Sequence, residues 1–523
     1  MKLAIPWLQA LRIASLFIGL ARVCSAVPQG VPLPKDADAA ALKMIDEARV
    51  LEPHLPRPDA VPMAVGPGPL TLSRAVQIAL ANNYSMQRER EQVQANALSA
   101  VAIRHGYSPQ WRAQTTASSA ESGITIDNTR TTNQFVNSFQ SVGVSQQLPF
   151  GGTLGLDFGG AYAQTSGLSA SYSPRAAISL NQPLLRGAGN DLFQEPLTRA
   201  KRGLIYALRN YKAVREDFAI SVIESFLTLQ NLREKSANLE EKHRSYDLLA
   251  KRAQTYFVLG LETEIEALRA GQENLFVQQD LLNIDLDLKN RMGLFEISLA
   301  LPTESPVELT SFAIPYEKLR IDPSQAVQIA MSRRPDLQTA ADAVEDSRRA
   351  VTFAKRGLLP SLDLNLNANL QDSNARSSTA TINDEYFAGV TLSLPLERTQ
   401  ERLGLYLALQ TLRQNERALI FVRSTITAAI HNSIDRIKSL ENQIGIQNSI
   451  FQSSIRRARV AEILFQDGRV SNREVIEANS IRIAAMNARL DLVLAHYIGV
   501  LQLKRDLGVL DLDQPSFLTA SDL

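Results

Sequence analysis

The sequence predicts an α+β membrane protein built from two internal repeats. Three observations carry this prediction: a duplicated segment, strands with one apolar and one polar face, and very long helices with a seven-residue apolar repeat. The 523 residues contain 55 Lys and Arg against 54 Asp and Glu. This balance argues against a basic surface for nucleic acid. The single cysteine, Cys24, excludes a disulfide scaffold and a multi-cysteine zinc site.

Residues 1–26 have the order of a secretory signal peptide. Lys2 and Arg12 precede an apolar stretch at 13–21, and Cys24-Ser25-Ala26 supplies small residues for cleavage. Cleavage after Ala26 would change the formal net charge from +1 to −2 and remove the cysteine. A buried N-terminal helix and lipidation of Cys24 are the alternatives. Beyond residue 26 no apolar run approaches the ~18 residues of a spanning helix.

A duplication organises the rest of the chain. The segment Ala-Val-Gln-Ile-Ala-Leu at 75–80 recurs with one change at 326–331, and the matched pairs Gly106/Gly357 and Pro109/Pro360 keep that offset of 251. Between Pro109 and Pro183 the offset falls from 251 to 212, so the first copy carries 39 extra residues there. Further along the offset is 208. The predicted organisation is a Pro-rich linker (27–70), a first repeat (71–300), a linker (301–321), a second repeat (322–508) and a tail (509–523).

Each repeat is predicted to contain a helix, strands, a long helix and a return helix. In the second repeat Leu362, Leu364 and Leu366 alternate with Asp363 and Asn365, which predicts a strand with two different faces. The first repeat holds four candidate strands in the segment 108–184, including an extra hairpin. The predicted helices are 72–105, 190–257, 264–300, 323–356 and 471–507; the first-repeat strands lie near 108–119, 136–149, 152–163 and 174–184; a polar loop spans 371–385.

The long helices are predicted to form coiled coils. Leu232, Leu239, Tyr246 and Ala253 recur every seven residues, and the second repeat has a corresponding series. One long helix of about 68 residues matches the combined length of the two shorter helices of its repeat. Each repeat therefore makes two helical columns, and the chain makes four.

Four segments resemble the TolC-like outer membrane efflux proteins. They are the first helix from Leu70 to Asn83, the helix-to-strand junction at 356–362, the strand-to-helix junction at 182–187 and the turn at 468–478. Their order, duplication and spacing carry the resemblance. It implies a homotrimer in which an outer-membrane β-barrel continues into a periplasmic α-helical barrel.

The resemblance also implies a function. Such proteins are exit ducts of tripartite efflux pumps or type I secretion systems, joined to a periplasmic adaptor and an inner-membrane transporter. The expected location is the outer membrane, with a large periplasmic portion. The protein is expected to contact outer-membrane lipid and not to bind nucleic acid. A periplasmic adaptor and a coiled-coil protein without a pore are the alternatives. The substrate stays open, as does the strand number: the extra hairpin either widens the barrel from 12 to 18 strands or projects from it.

The resemblance places Glu474 and Glu477 at an acidic constriction near the periplasmic tip. Three residues apart on a helix, the two carboxylates share one face, and a trimer would hold six of them. Such a ring attracts cations and repels anions. The alternative is a solvated helix face.

Two helical turns are the second candidate site. In the family, these turns meet the helical hairpins of the adaptor. The plain alternative is a pair of αα-hairpin turns with left-handed glycine caps. The residues concerned are Gly260, Leu261, Thr263, Gly468, Val470 and Ser471.

No catalytic or cofactor motif is recognisable. The five histidines are dispersed without the spacing of metal ligands. We therefore expect no enzyme activity, no cofactor and no metal.

Overall fold

The computed structural model describes residues 68–126, 129–165, 170–302, 307–373 and 381–512. The predicted signal peptide and most of both terminal segments lie outside this part of the chain. The helices are α1 (Leu72–Asn82), α2 (Tyr84–Gly106), α3 (Asn190–Val258), α4 (Glu264–Ser298), α5 (Pro323–Arg333), α6 (Pro335–Gly357), α7 (Thr399–Gln466) and α8 (Asn472–Asp506); the strands are β1 (Gln110–Ile126), β2 (Thr129–Gln147), β3 (Thr153–Thr165), β4 (Ser171–Pro183), β5 (Ser361–Ser373) and β6 (Thr381–Ser393). Among these described helices, none is long and apolar enough to cross a membrane.

The predicted helix 72–105 is two helices, and so is its counterpart at 323–356. The break lies at Asn83 (φ −61°, ψ 130°) in the first repeat and at Arg334 (φ −65°, ψ 123°) in the second. Pro335 explains the second break, because proline lacks an N–H and disfavours the helical conformation in the residue before it. The breaks are 251 positions apart, the same offset as the duplication.

Each break is anchored to the end of the return helix in its own repeat. The Asn83 side-chain amide donates a hydrogen bond to the carbonyl of Ser298 at 3.0 Å. The Arg334 guanidinium donates to the carbonyl of Asp506 at 3.3 Å. Ser298 and Asp506 are the last residues of α4 and α8. These bonds satisfy carbonyls that a helix end leaves without an intrahelical partner.

The chain divides into two compact units. Among the described residues, the strand unit comprises Val93–Ala207 and Asp342–Glu416. The helical unit comprises 68–92, Leu208–Ala341 and 417–512 without the gap at 303–306. Helices α2, α3, α6 and α7 contribute residues to both units.

The strand unit contains one six-stranded antiparallel sheet with the strands in chain order. Side chains that are register partners lie on the same face. The row Leu154, Leu180 and Leu366 lies on one face, whereas the next row, Gly155, Ser179 and Asn367, lies on the other. One face is therefore mostly apolar and the other mostly polar.

Strands β5 and β6 extend further than the sequence pattern predicts. Their ladder continues through Gln371 and Asn383 to Ser373 and Thr381. Backbone pairing needs no apolar side chain, so the strands continue through residues assigned to the polar loop 371–385. The connection that is left, 374–380, lies outside the described residues.

Ion pairs join α3 to α6 in the strand unit. Arg202 and Arg349 both contact Asp346, at 2.9 Å and 2.6 Å, and Arg349 also contacts Glu195 at 3.2 Å. The Tyr206 hydroxyl donates to Asp346 at 2.6 Å. Because these groups are largely shielded from solvent, their interaction is screened less than that of a surface pair.

The helical unit has an apolar core made by helices from both repeats. Ile78 of α1, Phe226 of α3, Phe295 of α4 and Tyr497 of α8 are buried in one cluster. Polar contacts connect α3 and α8 along their length: Lys235 with Asp491, Asn238 with Asn487, and Glu241 with Arg482. The core therefore joins the two repeats within this unit.

Candidate functional site

The candidate site consists of two helical turns, the first turn at 259–263 and the second turn at 467–471. They correspond at the offset of 208. Gly260 and Gly468 have φ values of 70° and 71°, in the left-handed region that favours glycine. The amide of Leu261 donates to the carbonyl of Tyr256 at 2.8 Å, and Arg469 donates to Leu464 at 2.8 Å. Both long helices therefore end in the same left-handed cap.

The helices that follow are capped differently. The Thr263 hydroxyl accepts a hydrogen bond from the amide of Glu266 at 3.4 Å and caps α4. Ser471 occupies the N-cap position of α8, but its side chain makes no capping hydrogen bond. Ser471 is an exposed residue.

The first turn presents apolar side chains to solvent. Leu259 and Leu261 of the turn, and the adjacent Ile265 at the start of α4, are 63%, 69% and 68% exposed. Val258 and Leu268 are exposed beside them. A contiguous group of exposed apolar residues is typical of a protein-interaction surface.

The second turn presents polar side chains instead. Asp467 and Arg469 are the counterparts of Leu259 and Leu261, and both are exposed. Val470 is half-buried and packs against a cluster that contains Ala458, Phe465 and Val475. The structure thus places Val470 in local packing rather than on an open surface.

An arginine and a tyrosine join the two helical hairpins near these turns. The guanidinium of Arg252 lies 4.4 Å from the ring centre of Phe465 and 5.1 Å from that of Tyr256. The Tyr246 hydroxyl donates to the carbonyl of Ile476 at 2.7 Å and contacts the Ser480 hydroxyl at 2.9 Å. Burial raises the pKa of Tyr246 to about 12, so its hydroxyl stays protonated and available as a donor.

Glu474 and Glu477 lie on one face of α8, as predicted from their spacing. Both side chains are about half exposed. Arg457 of α7 lies between them, at 2.7 Å from Glu477 and 3.9 Å from Glu474. Glu474 is also in the first helical turn, where a carboxylate interacts favourably with the helix dipole. The pair therefore has a structural role besides any effect on ions.

The corresponding charges in the first repeat compensate each other. The counterparts of Glu474 and Glu477 are Glu266 and Arg269, which form an ion pair at 3.1 Å on α4. The counterpart of Arg457 is Leu249, an apolar residue. The three positions therefore carry a net charge of −1 in the second repeat and 0 in the first.

Sequence reasoning missed Arg457 and Arg252, and it placed Tyr246 in the seven-residue series without its hydrogen bonds to Ile476 and Ser480. The alignment of the repeats at the offset of 208 contained one signal for Arg457, because it stands opposite Leu249 near the end of a long helix. It contained no signal for the Arg252 contact, which depends on how α3 and α7 are rotated toward each other. Within the described residues, no group of His, Cys, Asp and Glu side chains is placed to hold a metal ion.

Comparison with known proteins finds one similar family model and several similar structures. Residues 326–509 match the family model described as outer membrane efflux protein. A comparison with curated protein sequences found no match. The CmeC outer membrane channel of Campylobacter jejuni is 16% identical with a TM-score of 0.63, over 90% of this chain and 99% of CmeC.

Two further solved structures have similar values. The outer membrane protein VceC of Vibrio cholerae is 14% identical with a TM-score of 0.62, over 84% of this chain and 96% of VceC. The MtrE outer membrane channel of Neisseria gonorrhoeae, solved in an open state, is 13% identical with a TM-score of 0.61, over 87% of this chain and 96% of MtrE. The chain shares the fold of these proteins.

Proposed function

We propose that this chain, whose residues 326–509 belong to the outer membrane efflux protein family, is the outer membrane exit duct of an efflux pump. The family match over the second repeat is the observation that carries the proposal. The fold shared with three outer membrane proteins supports it. A periplasmic adaptor is disfavoured, because it would have one helical hairpin between compact β domains, whereas the described chain has two hairpins and one sheet.

The two-faced sheet suits a membrane wall. In a bilayer every backbone polar group needs an internal partner, which antiparallel strands provide to one another. The apolar face of the sheet would contact lipid and the polar face would line the lumen. The helices would occupy the periplasm.

The edge strands support a closed assembly of several copies. β1 and β6 are at the two ends of the strand order, and an edge strand offers unpaired backbone groups to another chain. A homotrimer in which β1 of one copy pairs with β6 of the next would leave no free edge. We adopt the trimer as the assembly of the working duct.

The first turn is the proposed docking surface for a periplasmic adaptor. Its exposed Leu259, Leu261 and Ile265 would pack against an apolar stripe on a helical hairpin of the adaptor. The second turn lacks such a surface, because its exposed residues are polar and Val470 is engaged in packing. The adaptor would pass substrate on from an inner-membrane transporter.

The charges around Arg457 would set ion selectivity at the duct entrance. Each protomer would contribute Glu474, Glu477 and Arg457, so a trimer carries a net charge of −3 from these residues rather than −6. A moderate preference for cations is expected.

Membrane fractionation followed by planar-bilayer conductance tests the proposal. The expected results are co-purification with outer membranes, an unheated trimer on gels, and ion-conducting channels. A matched pair of variants sharpens the test. Leu180→Arg places a cation on the apolar face, which costs about 2–4 kcal/mol at the bilayer midplane and less toward the interfaces, whereas Ser179→Arg places the same cation on the polar face.

We expect Leu180→Arg to reduce the amount of protein in the outer membrane and Ser179→Arg to leave it near the wild-type amount. Recovery of the wild-type chain only as a monomer without conductance would overturn the proposed function.

A further inference from the structure

Strands β2 and β3 have no counterparts in the second repeat. The matched pair Pro109/Pro360 precedes β1 and β5. In the matched pair Pro183/Pro395, Pro183 is the last residue of β4 and Pro395 lies two residues after the end of β6. The extra hairpin is therefore inserted between two strands that would otherwise be neighbours. Its register decides whether it belongs to the wall or projects from it.

The apolar face continues across the extra hairpin. Val142 of β2 is opposite Ala113 of β1 and Phe158 of β3, and Phe158 is opposite Ala176 of β4. Val142 and Phe158 are 52% and 58% exposed. In a hairpin that projects into water, apolar side chains that continue the apolar face of β4 would stay in contact with water and would not stabilise the fold.

A second apolar row runs through all six strands. It begins with an exposed tryptophan, ends with an exposed tyrosine and has apolar side chains at every position between them. The row consists of Trp111, Val144, Leu156, Ile178, Ala368 and Tyr386.

The polar face also connects the extra strands to β1. The guanidinium of Arg112 in β1 contacts Asp157 in β3 at 3.1 Å. Between them in the same row is Gly143 of β2. A Cβ atom at residue 143 would overlap the Asp157 carboxylate, so glycine is what lets the ion pair form over the intervening strand. This contact requires β1, β2 and β3 to be adjacent.

The connection between β2 and β3 is short. The amide of Leu148 donates to the carbonyl of Gly152 at 2.7 Å, and Gly151 donates to Leu148 at 2.9 Å. Gly151 has a φ of 89°, in the left-handed region. Short turns of this kind join strands at the periplasmic side of membrane barrels. A tight turn at this end would bring both extra strands back within the wall.

From these observations we infer that β2 and β3 are part of the membrane wall, so that the trimer closes 18 strands instead of 12. The inference rests on the proposed function, since it requires the sheet to lie in a membrane. At a strand spacing of about 4.8 Å and a tilt of about 40°, 18 strands enclose a radius of about 18 Å and 12 strands about 12 Å. The exit would be wider by half.

Single-cysteine labelling in intact outer membranes tests the inference. The sequence has one cysteine, Cys24, within the predicted signal peptide, so the test is run in a Cys24→Ser background. Val142→Cys and Phe158→Cys probe the apolar face of the extra hairpin, and Ser141→Cys probes its polar face. Val390→Cys and Thr391→Cys are the matched controls on the two faces of β6.

The reagents are a charged maleimide that stays in water and an apolar maleimide that dissolves in lipid. For hairpin strands in the wall, Val142→Cys and Phe158→Cys react only with the apolar reagent, as Val390→Cys does. Ser141→Cys then reacts with the charged reagent, as Thr391→Cys does. In addition, the double variant Ala113→Cys, Val142→Cys is expected to form a disulfide, because the two residues are register partners.

Two results overturn the inference in distinguishable ways. If Val142→Cys and Phe158→Cys react with the charged reagent while Val390→Cys does not, the hairpin projects from a wall of 12 strands and the proposed function stands. If Val390→Cys also reacts with the charged reagent, the sheet is not in lipid and the proposed function fails with the inference.

Discussion

The two helical turns have the same backbone conformation, but their side chains differ in polarity and in the contacts that they make. Both end a long helix with a left-handed glycine and the same pair of hydrogen bonds. The first turn exposes Leu259 and Leu261, whereas the second has Asp467 and Arg469 in the same places. Duplication preserved the backbone geometry, which glycine and hydrogen bonds determine, while the surface residues diverged toward different contacts.

The charged residues near the two turns also differ between the repeats. In the first repeat Glu266 and Arg269 neutralise each other on one helix. In the second, Glu474 and Glu477 share one guanidinium, Arg457, from another helix. One turn is therefore suited to apolar contact and the other to an effect on ions.

The largest expected effect comes from a charge on the first turn. Leu261→Glu should abolish export, because a carboxylate cannot be buried against an apolar partner without a large desolvation cost. The matched control is Arg469→Glu, the same new side chain at the corresponding position of the second turn. Export is measured as accumulation of substrate by cells, with trimer content followed on unheated gels. Equal loss of export in both variants would mean that the two turns do not differ in docking.

The charge difference predicts a change in ion selectivity. Glu474→Gln with Glu477→Gln should lower the preference for cations, and Arg457→Gln should raise it, because the second repeat then loses or gains net negative charge. Reversal potentials in a salt gradient across a planar bilayer measure this. Arg269→Gln alters charge in the first repeat and serves as the control. If Arg269→Gln shifts the reversal potential as much as Arg457→Gln does, the two repeats do not differ in their effect on ion selectivity.

The pair Glu262 and Val470 predicts a smaller, pH-dependent effect on stability. The two residues correspond in the repeats, and both are half-buried. Burial raises the pKa of the Glu262 carboxyl, and the nearby Glu266 carboxylate raises it further. The pKa of this carboxyl is therefore higher in the folded state than in the unfolded state, so the folded state binds the proton of Glu262 more tightly. The free energy of unfolding then decreases as the pH rises through the pKa of the folded state.

Replacement of Glu262 by the residue of the other repeat, Glu262→Val, should therefore raise the melting temperature more at pH 8 than at pH 5. The reverse change, Val470→Glu, should cost about 1–3 kcal/mol at pH 8, because it buries an unpaired polar group. Thermal unfolding followed by circular dichroism measures both. A gain for Glu262→Val that is larger at pH 5 would show that the carboxyl is not destabilised by burial.

The smallest effects should be equal in the two turns. Gly260→Ala and Gly468→Ala should each cost about 1–2 kcal/mol, the strain of an alanine in the left-handed conformation. A Cβ atom at either position would meet no other atom within 4 Å, so backbone strain is the main contribution. Clearly different melting temperatures for the two variants would contradict the conclusion that both turns have the same backbone conformation.

The sequence alone determined the duplication, the long helices, the positions of both turns and the two faces of the strands. All of these follow from local periodicity and from glycine and proline at matched positions. The existence of an extra hairpin also followed from the repeat offsets. The break within the first helix of each repeat was not predicted, although Pro335 marked it in the second repeat.

The tertiary structure decided which residues meet. The contact of Arg457 with the two glutamates, the packing of Val470 and the stacking of Arg252 on Phe465 depend on how one helix is rotated toward another. The adjacency of β1, β2 and β3 depends on register, which the ion pair of Arg112 and Asp157 over Gly143 reveals. The sequence pattern of one helix or strand shows which of its faces is apolar. It does not show which other helix or strand packs against that face, because this is decided by packing between segments far apart in the chain.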